Sequence, residues 1–441
     1  MLLSAAAIGG MRRMGHAAIR ALFVHVVIAS LVLVAAVLPI DLRAEDARQD
    51  EIETKSGYDT VPGFGGPSST PVALKRADRV KDTAIPAETW AELLSEKWYA
   101  TKQRLNDEKG LAFGLHYNAV SQWDRGKLTS DQGAGGIFEL AGSWTMTGES
   151  TPDSGSLVFL LEHQHRFNAG NPVEDFGVPS GSVLPTAQFG DYGWNLANLY
   201  WNGKRRNGKL VFAGGIVNTG DYVDYFALND PLTAYQNAAF SGTPTIALPD
   251  PGLGAMVRVG ADNLYVSAGF ADANATAGSF DYSGIFDEGE YFTHLEFGWT
   301  PAYARRYVNN VHVTAWHVDK RDQAQVPEDW GVAFSLSTEV GEYLQPFFRA
   351  GYSQGTAATL ERSISTGVGI QRGEFNLLGL GLNWGQPPGD LSDQYSAEVF
   401  YRFQFFPNLT LTPDLQLIFD PALDPDQDRL LVFGLRLRAT F

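Results

Sequence analysis

Residues 429 to 441 read Arg-Leu-Leu-Val-Phe-Gly-Leu-Arg-Leu-Arg-Ala-Thr-Phe, an alternating run that ends on an aromatic ring. Leu431, Phe433, Leu435, Leu437, Ala439 and Phe441 fall on one face of a strand; Val432, Gly434, Arg436, Arg438 and Thr440 fall on the other. A terminal strand that is apolar on one side and twice cationic on the other suits a wall with lipid outside and water inside. A half-buried strand of a soluble protein has the same period, so recurrence of the pattern upstream must decide between the two.

It recurs. Between residues 110 and 441 we count sixteen candidate strands, from 110–122 and 135–147 through 394–405, 409–419 and 429–441. Most reach the roughly 9 to 11 residues that a tilted membrane strand needs. In 394–405, Tyr395, Ala397, Val399, Tyr401, Phe403 and Phe405 oppose Ser396, Glu398, Phe400, Arg402 and Gln404. A one-residue slip of register would put Glu398 and Arg402 in lipid, so the faces are strongly specified. Outward Trp299, Trp330, Tyr352, Trp384 and Phe441 near strand ends are expected to form interfacial girdles. Strands 192–201 and 209–217 alternate weakly. The odd-numbered connections include segments of 24 (168–191), 34 (218–251) and 18 residues (272–289), whereas most even-numbered ones are tight, such as Ala261-Asp262 and Arg372-Gly373-Glu374. Long loops on one rim and short turns on the other predict an all-β fold, a 16-stranded antiparallel transmembrane β-barrel. A soluble sandwich or propeller has no reason to sort its loops in this way.

Composition agrees: the 441 residues include 47 Gly, 27 Phe, 17 Tyr and 10 Trp, and no Cys. The missing cysteine excludes thiol catalysis, Cys-ligated metals and a lipid anchor on an N-terminal cysteine, and fits a bacterial envelope protein without disulfides. Residues 1–44 read as an export signal, with Arg12, Arg13 and Arg20 ahead of an apolar stretch and cleavage expected after Ala44; a retained membrane anchor is the alternative. These 44 residues hold four of the 33 Lys/Arg and one of the 50 Asp/Glu, so the chain after Ala44 has 29 cationic and 49 anionic side chains and a net charge of -20. Such acidity does not suit a nucleic-acid partner. Residues 45–87, charged and rich in Pro, Gly, Ser and Thr, predict a flexible linker. Residues 88–109 space Trp90, Leu93, Leu94, Trp98 and Leu105 as a short amphipathic helix, expected to cap the periplasmic rim.

A barrel of about sixteen strands is too wide for wall side chains to fill, so the lumen is expected to hold water and its function depends on what narrows it. Segment 218–251 is the candidate constriction loop, because so long a stretch without strand pattern is usually functional. It carries Asp221, Tyr222, Asp224, Tyr225, Phe226, Asp230, Tyr235, Asn237 and Phe240, which would offer ring faces to sugar rings and hydrogen-bond partners to hydroxyls. A loop that caps the outer surface is the bland alternative. Inward Arg166, Arg258, Arg349, Arg402, Arg436 and Arg438 stand against inward Glu139, Glu162, Glu296, Glu339, Glu361, Glu398 and Asp414. Opposed charges across a bore select by dipole and hydroxyl pattern, or else simply solvate the wall and pair with one another.

The tail Leu411-Thr412-Pro413-Asp414-Leu415-Gln416, followed by Pro421 and the terminal Phe441, resembles the carbohydrate-selective porin family, the OprB-type porins of Gram-negative outer membranes. The stretch from Ala213-Gly214-Gly215 through Asp224, Gln236-Asn237-Ala238-Ala239-Phe240 and Pro249 to Gly252-Leu253-Gly254-Ala255 is similar to the same family, as is Lys102 to Tyr117. The likeness spans about Trp90 to Phe441 and implies a sixteen-stranded porin that passes sugars passively. The expected partners are mono- or oligosaccharides as transported solutes and outer-membrane lipid, with a homotrimer as the candidate assembly, and no cofactor or metal is expected.

Other classes are weaker. His163 and His165 share strand 155–167, but no nucleophile signature accompanies them. Asp424, Asp426 and Asp428 have alternate spacing without the glycine and bidentate Glu of a calcium loop. A general or ion-selective porin, or a surface adhesin or structural barrel, remains the rival to a sugar channel.

Overall fold

The computed structural model of the protein describes residues 65–78, 90–124, 132–148, 153–167 and 171–441, apart from Glu342 and Glu374. The export signal and most of the 45–87 linker lie outside these residues. Sixteen strands follow one another: β1 (Leu111–Asp124), β2 (Gln132–Thr147), β3 (Gly155–Arg166), β4 (Gly193–Arg205), β5 (Leu210–Val217), β6 (Gly252–Gly260), β7 (Leu264–Asp272) and β8 (Tyr291–Trp299). The second half comprises β9 (Asn310–Val318), β10 (Asp329–Ser337), β11 (Leu344–Ser353), β12 (Arg362–Arg372), β13 (Asn376–Gln386), β14 (Gln394–Phe406), β15 (Leu409–Phe419) and β16 (Arg429–Thr440).

Each strand pairs antiparallel with its sequence neighbours, and β1 closes on β16 from His116↔Thr440 to Asp124↔Val432. Closure removes every sheet edge, so no row of backbone donors and acceptors is left unpaired at a barrel wall. The two faces are sorted as the period-two pattern requires. Phe297, Leu295, Val259, Val266 and Leu435 are exposed on the outside, each with two-fifths or more of its surface free, whereas Asn118, Arg258, Glu296 and Gln416 on the inside are fully buried. Trp330 packs edge-on against Tyr352 near the long-loop rim, and Phe441 is exposed at the opposite one.

The weak alternation of 192–201 has a local cause. Leu160 pairs with Asn198 and Leu161 with Leu196, so Ala197 is an extra residue on β4 that shifts the phase of the strand.

Among the described residues, two helices precede the wall, α1 (Thr70–Ala77) and α2 (Trp90–Lys109). Helix α2 lies along the short-turn rim, where Trp98 meets Phe113 edge-on and Asn408 donates to the Tyr99 hydroxyl at 2.8 Å. Helix α1 departs from the expected linker. Residues 65–78 are ordered inside the barrel, with Val72 and Leu74 buried.

Candidate functional site

Segment 218–251 runs inside the barrel, and the inner wall is built to hold it. At its start, Asn198 of β4 accepts from the Asn218 amide at 2.9 Å and donates to the Asp221 carboxylate at 3.0 Å. Further on, Glu296 of β8 accepts from the Asp224 amide at 2.9 Å, His312 of β9 meets the Asp224 carboxylate at 2.8 Å, and Arg349 of β11 donates to the other carboxylate oxygen and to the Gly242 carbonyl. Across the bore, Glu398 of β14 accepts from the Gln236 and Asn237 amides at 2.7 and 3.0 Å, just ahead of the helical turn Ala238–Ser241 that Asn237 caps. A carboxylate there meets backbone N–H groups that a short helical turn leaves without internal partners. Arg436 of β16 donates to Pro231 and Ala234 carbonyls, and Arg402 of β14 donates to the Thr233 carbonyl at 2.7 Å.

Aromatic contacts tie the same loop down. Tyr235 packs on Phe240 and Phe400 with ring centres 5.0 and 4.9 Å apart, and Phe226 packs on Phe347 at 4.9 Å. Glycines in the wall make room: a side chain at Gly381 would come within 2.9 Å of the Phe240 ring. All nine residues singled out in the loop, from Asp221 to Phe240, are buried.

The electrostatics of its two buried aspartates diverge. Burial pushes the Asp221 carboxyl up to about 6 against the hydrogen bond from Asn198. Burial opposes ionisation of Asp224 as well, but Arg349 and His312 outweigh it and hold that carboxyl down at about 2.

The charged wall residues are drawn into contacts rather than left facing open water. Glu139 accepts from Asn118 at 2.7 Å and lies 3.3 Å from the Arg438 guanidinium, with His116 beside both. Glu162 accepts from Gln164 at 3.0 Å, and Asp414 from Gln416 at 3.2 Å. Arg258 lies against the rings of Tyr225 and Tyr265, its guanidinium carbon 5.4 and 5.7 Å from their centres. Three expected lumen charges lie elsewhere. Arg166, 46% exposed, ends β3 at the rim and pairs with Asp191 at 2.9 Å. Glu339 follows β10 in a connection and pairs with Arg305, and Glu361 precedes β12 beside Arg362. His163 and His165 sit on the outer face with Trp194 and Phe167 rather than in the bore.

The lumen also differs from the wide aqueous bore expected. Two more segments enter it. Residues 171–191 fold inward from the long-loop rim: Val173, Phe176 and Phe189 are buried, Gln122 and Gln416 both donate to the Pro185 carbonyl, and the amides of Ala187 and Ala238 pair this segment with 218–251. Its length and its Val173, Phe176, Leu184 and Phe189 were the available signal. From the opposite rim comes α1. Between α1 and the β13–β16 wall a cavity of about 40 Å³ is lined by Arg76, Asp230, Arg402, Gln404 and Arg438. A second cavity, of about 600 Å³, opens on the outer face among Pro346, Val368, Leu380, Val399 and Leu417 and is not part of the bore. Among the described residues no group of three or more His, Cys, Asp or Glu is placed to hold a metal ion.

Residues 342–441 match the model of a family described as carbohydrate-selective porin, OprB family. Porin AaxA of Chlamydia felis (strain Fe/C-56) is 28% identical over 317 residues, covering 67% of this chain and 68% of that one. Porin AaxA of Chlamydia abortus (strain DSM 27085 / S26/3) is 24% identical over 313 residues, 67% of each chain. Among solved structures, the high-pH structure of Pseudomonas putida OprB superposes with a TM-score of 0.61 at 16% identity, over 78% of this chain and 97% of that one, which shows a shared barrel fold. The C-terminal hundred residues thus resemble the carbohydrate-selective porin family, and the closed sixteen-stranded barrel shares its fold with a solved porin.

Proposed function

We propose that this porin mediates passive, carbohydrate-selective diffusion across a bacterial outer membrane, and that segment 218–251 sets the constriction. The observation that carries the reading is the composition of that segment inside the barrel. Tyr222, Tyr225, Phe226, Tyr235 and Phe240 supply rings, and Asp221, Asp224, Asp230 and Asn237 supply polar groups of the kinds that bind sugars; all nine are buried, so a solute would meet them only where the packing around the loop opens. Weak, multiple contacts of this kind favour flux, since a tightly held solute would block the channel. Outward aromatics at both rims, Trp330 and Phe441 among them, would sit at the two membrane interfaces, and α2 would cap the periplasmic mouth. Of the wall charges, Glu296, Arg349, Glu398, Arg402 and Arg436 act in this reading by holding the constriction in place.

Liposome swelling with a size-matched series tests the selectivity. Faster permeation by sugars than by amino acids and anions of the same size is expected. Equal rates would remove the carbohydrate label and leave a general or ion-selective porin, which the six arginines of the lumen wall and rim would then serve. No flux of any solute would favour a non-transporting adhesin or structural barrel.

A further inference from the structure

Inside the barrel, segment 218–251 does not reach every part of the wall. Its anchors fall on β4, β8, β9, β11, β14, β15 and β16. In the sector made by β1, β2 and β3, with the adjoining part of β4, Leu232 of the loop and Val173 and Phe189 of residues 171–191 meet Val120 and Ile137 on the side of the long-loop rim, and α1 packs on the half nearer the short-turn rim. That sector is unlike the rest of the lumen. Ala112, Ala141, Leu160 and Ala197 turn small apolar groups inward, and Leu74 of α1 covers them. Gly114 deepens the seat, because a side chain there would come within 3.0 Å of Leu74. An apolar patch of this kind inside a water-filled pore would stand uncovered, at a cost that burial by a helix relieves.

The polar contacts of residues 65–78 reach the loop and, at Asn198, the wall strand β4. The Gly66 amide donates to the Asp221 carbonyl at 2.7 Å, Asn198 donates to the Thr70 hydroxyl at 3.3 Å, and Arg76 reaches Asp230 at 3.3 Å and Thr233 at 3.0 Å. Gly65 adopts φ +81°, and a side chain at Gly66 would strike Tyr225 at 2.8 Å, so the close approach to the loop requires glycine at both positions. At the rim, Lys102 of α2 donates to Asp78 and to the Phe441 carbonyl. One side of α1 therefore fits the wall, and the other fits the loop. The cavity of about 40 Å³ left beside it holds only a few waters and no sugar ring.

We propose that residues 65–78 are a plug that closes the channel between segment 218–251 and the β1–β4 wall, and that conduction requires this plug to leave. An eight-residue helix is marginal on its own and depends on the seat for its structure. Departure therefore melts it as well as moving it. Withdrawal uncovers Asn198, Asp221, Asp230 and Thr233, which then line the route that the loop leaves open. This builds on the transport reading but needs no assumption about the solute.

Ion conductance across planar bilayers tests the proposal in two ways. Deleting residues 65–78 from the full chain is expected to raise single-channel conductance several-fold, with the heat-shifted gel mobility of a folded barrel retained. A folded deletion variant that conducts like the parent overturns the proposal. Because the chain has no cysteine, Thr70→Cys and Asn198→Cys can be bridged by a short bifunctional methanethiosulfonate without background. The bridged barrel should stay shut and should open when reductant is added, whereas bridging that leaves conductance unchanged overturns the plug even if the deletion variant fails to fold. Sugar selectivity lost in the conducting forms would sink the carbohydrate reading alone, since the conductance readout does not depend on it.

Discussion

The Arg349 guanidinium and the Asp224 carboxylate form a buried ion pair inside the barrel, completed by His312 at 2.8 Å from the second carboxylate oxygen. This is the point at which the wall grips the first half of the inner loop, since Arg349 also donates to the Gly242 carbonyl and so joins two turns of that loop. Removing Arg349 leaves the buried Asp224 carboxylate with only His312 and the Thr243 hydroxyl as side-chain partners, a loss of about 3 kcal/mol. Arg349→Ala is therefore expected to lower thermal stability in detergent and to make the open channel noisy. Arg349→Lys, which keeps the charge but not the forked geometry, should recover only part of either property.

Protonation should act on the two aspartates in opposite directions. A carboxyl held down at about 2 in the folded chain contributes stability that is complete above its unfolded value near 4 and is lost as pH falls toward 2, which is the case of Asp224. A carboxyl raised to about 6 contributes stability that is complete below pH 4 and is lost as pH rises through 6, which is the case of Asp221. Thermal unfolding measured from pH 2.5 to 8 should lose its limb between pH 4 and 6 in Asp221→Asn and its acid limb in Asp224→Asn. Profiles parallel to the parent in both variants would show that neither aspartate is buried as described.

Deleting Tyr225 to Phe240 removes the part of segment 218–251 that packs on Phe347 and Phe400. Conductance is expected to rise in this variant. A folded variant whose conductance equals the parent's would place the loop outside the conduction path.

The outer face should reject charge. Leu380 lies midway along β13 and is 41% exposed on the exterior. Leu380→Arg is expected to cost about 2 to 4 kcal/mol of folding free energy in lipid vesicles if that position sits at the bilayer midplane. The same change in detergent micelles, whose surface adapts to a charge, should be milder. An insensitive Leu380 would mean that this wall does not meet hydrocarbon.

Much of this architecture was legible because period-two patterning is a local signal. Leu435 and Arg436 reveal their faces without reference to any distant residue, and each strand of the wall repeats the same statement. The bulge at Ala197 blurred β4 because a single inserted residue reverses the phase. What fills the bore was less legible. Tyr235 and Phe240 could be singled out from the length and composition of their loop, but nothing local says that Arg436 and Glu398, far along the chain, would hold that loop by its backbone. Helix α1 was hidden more completely. Its eight residues are a short run inside a charged, Pro- and Ser-rich segment, and the seat formed by Ala141, Leu160 and Ala197 exists only after the barrel closes.

Single-channel recording of the purified chain in planar bilayers, with and without residues 65–78, tests the central claim most directly. A hydrophilic path through the barrel predicts discrete conductance steps in the shortened form, larger and more frequent than in the parent, and reduced when a saccharide is added to the bath. Folded barrels that give no steps in either form would contradict it.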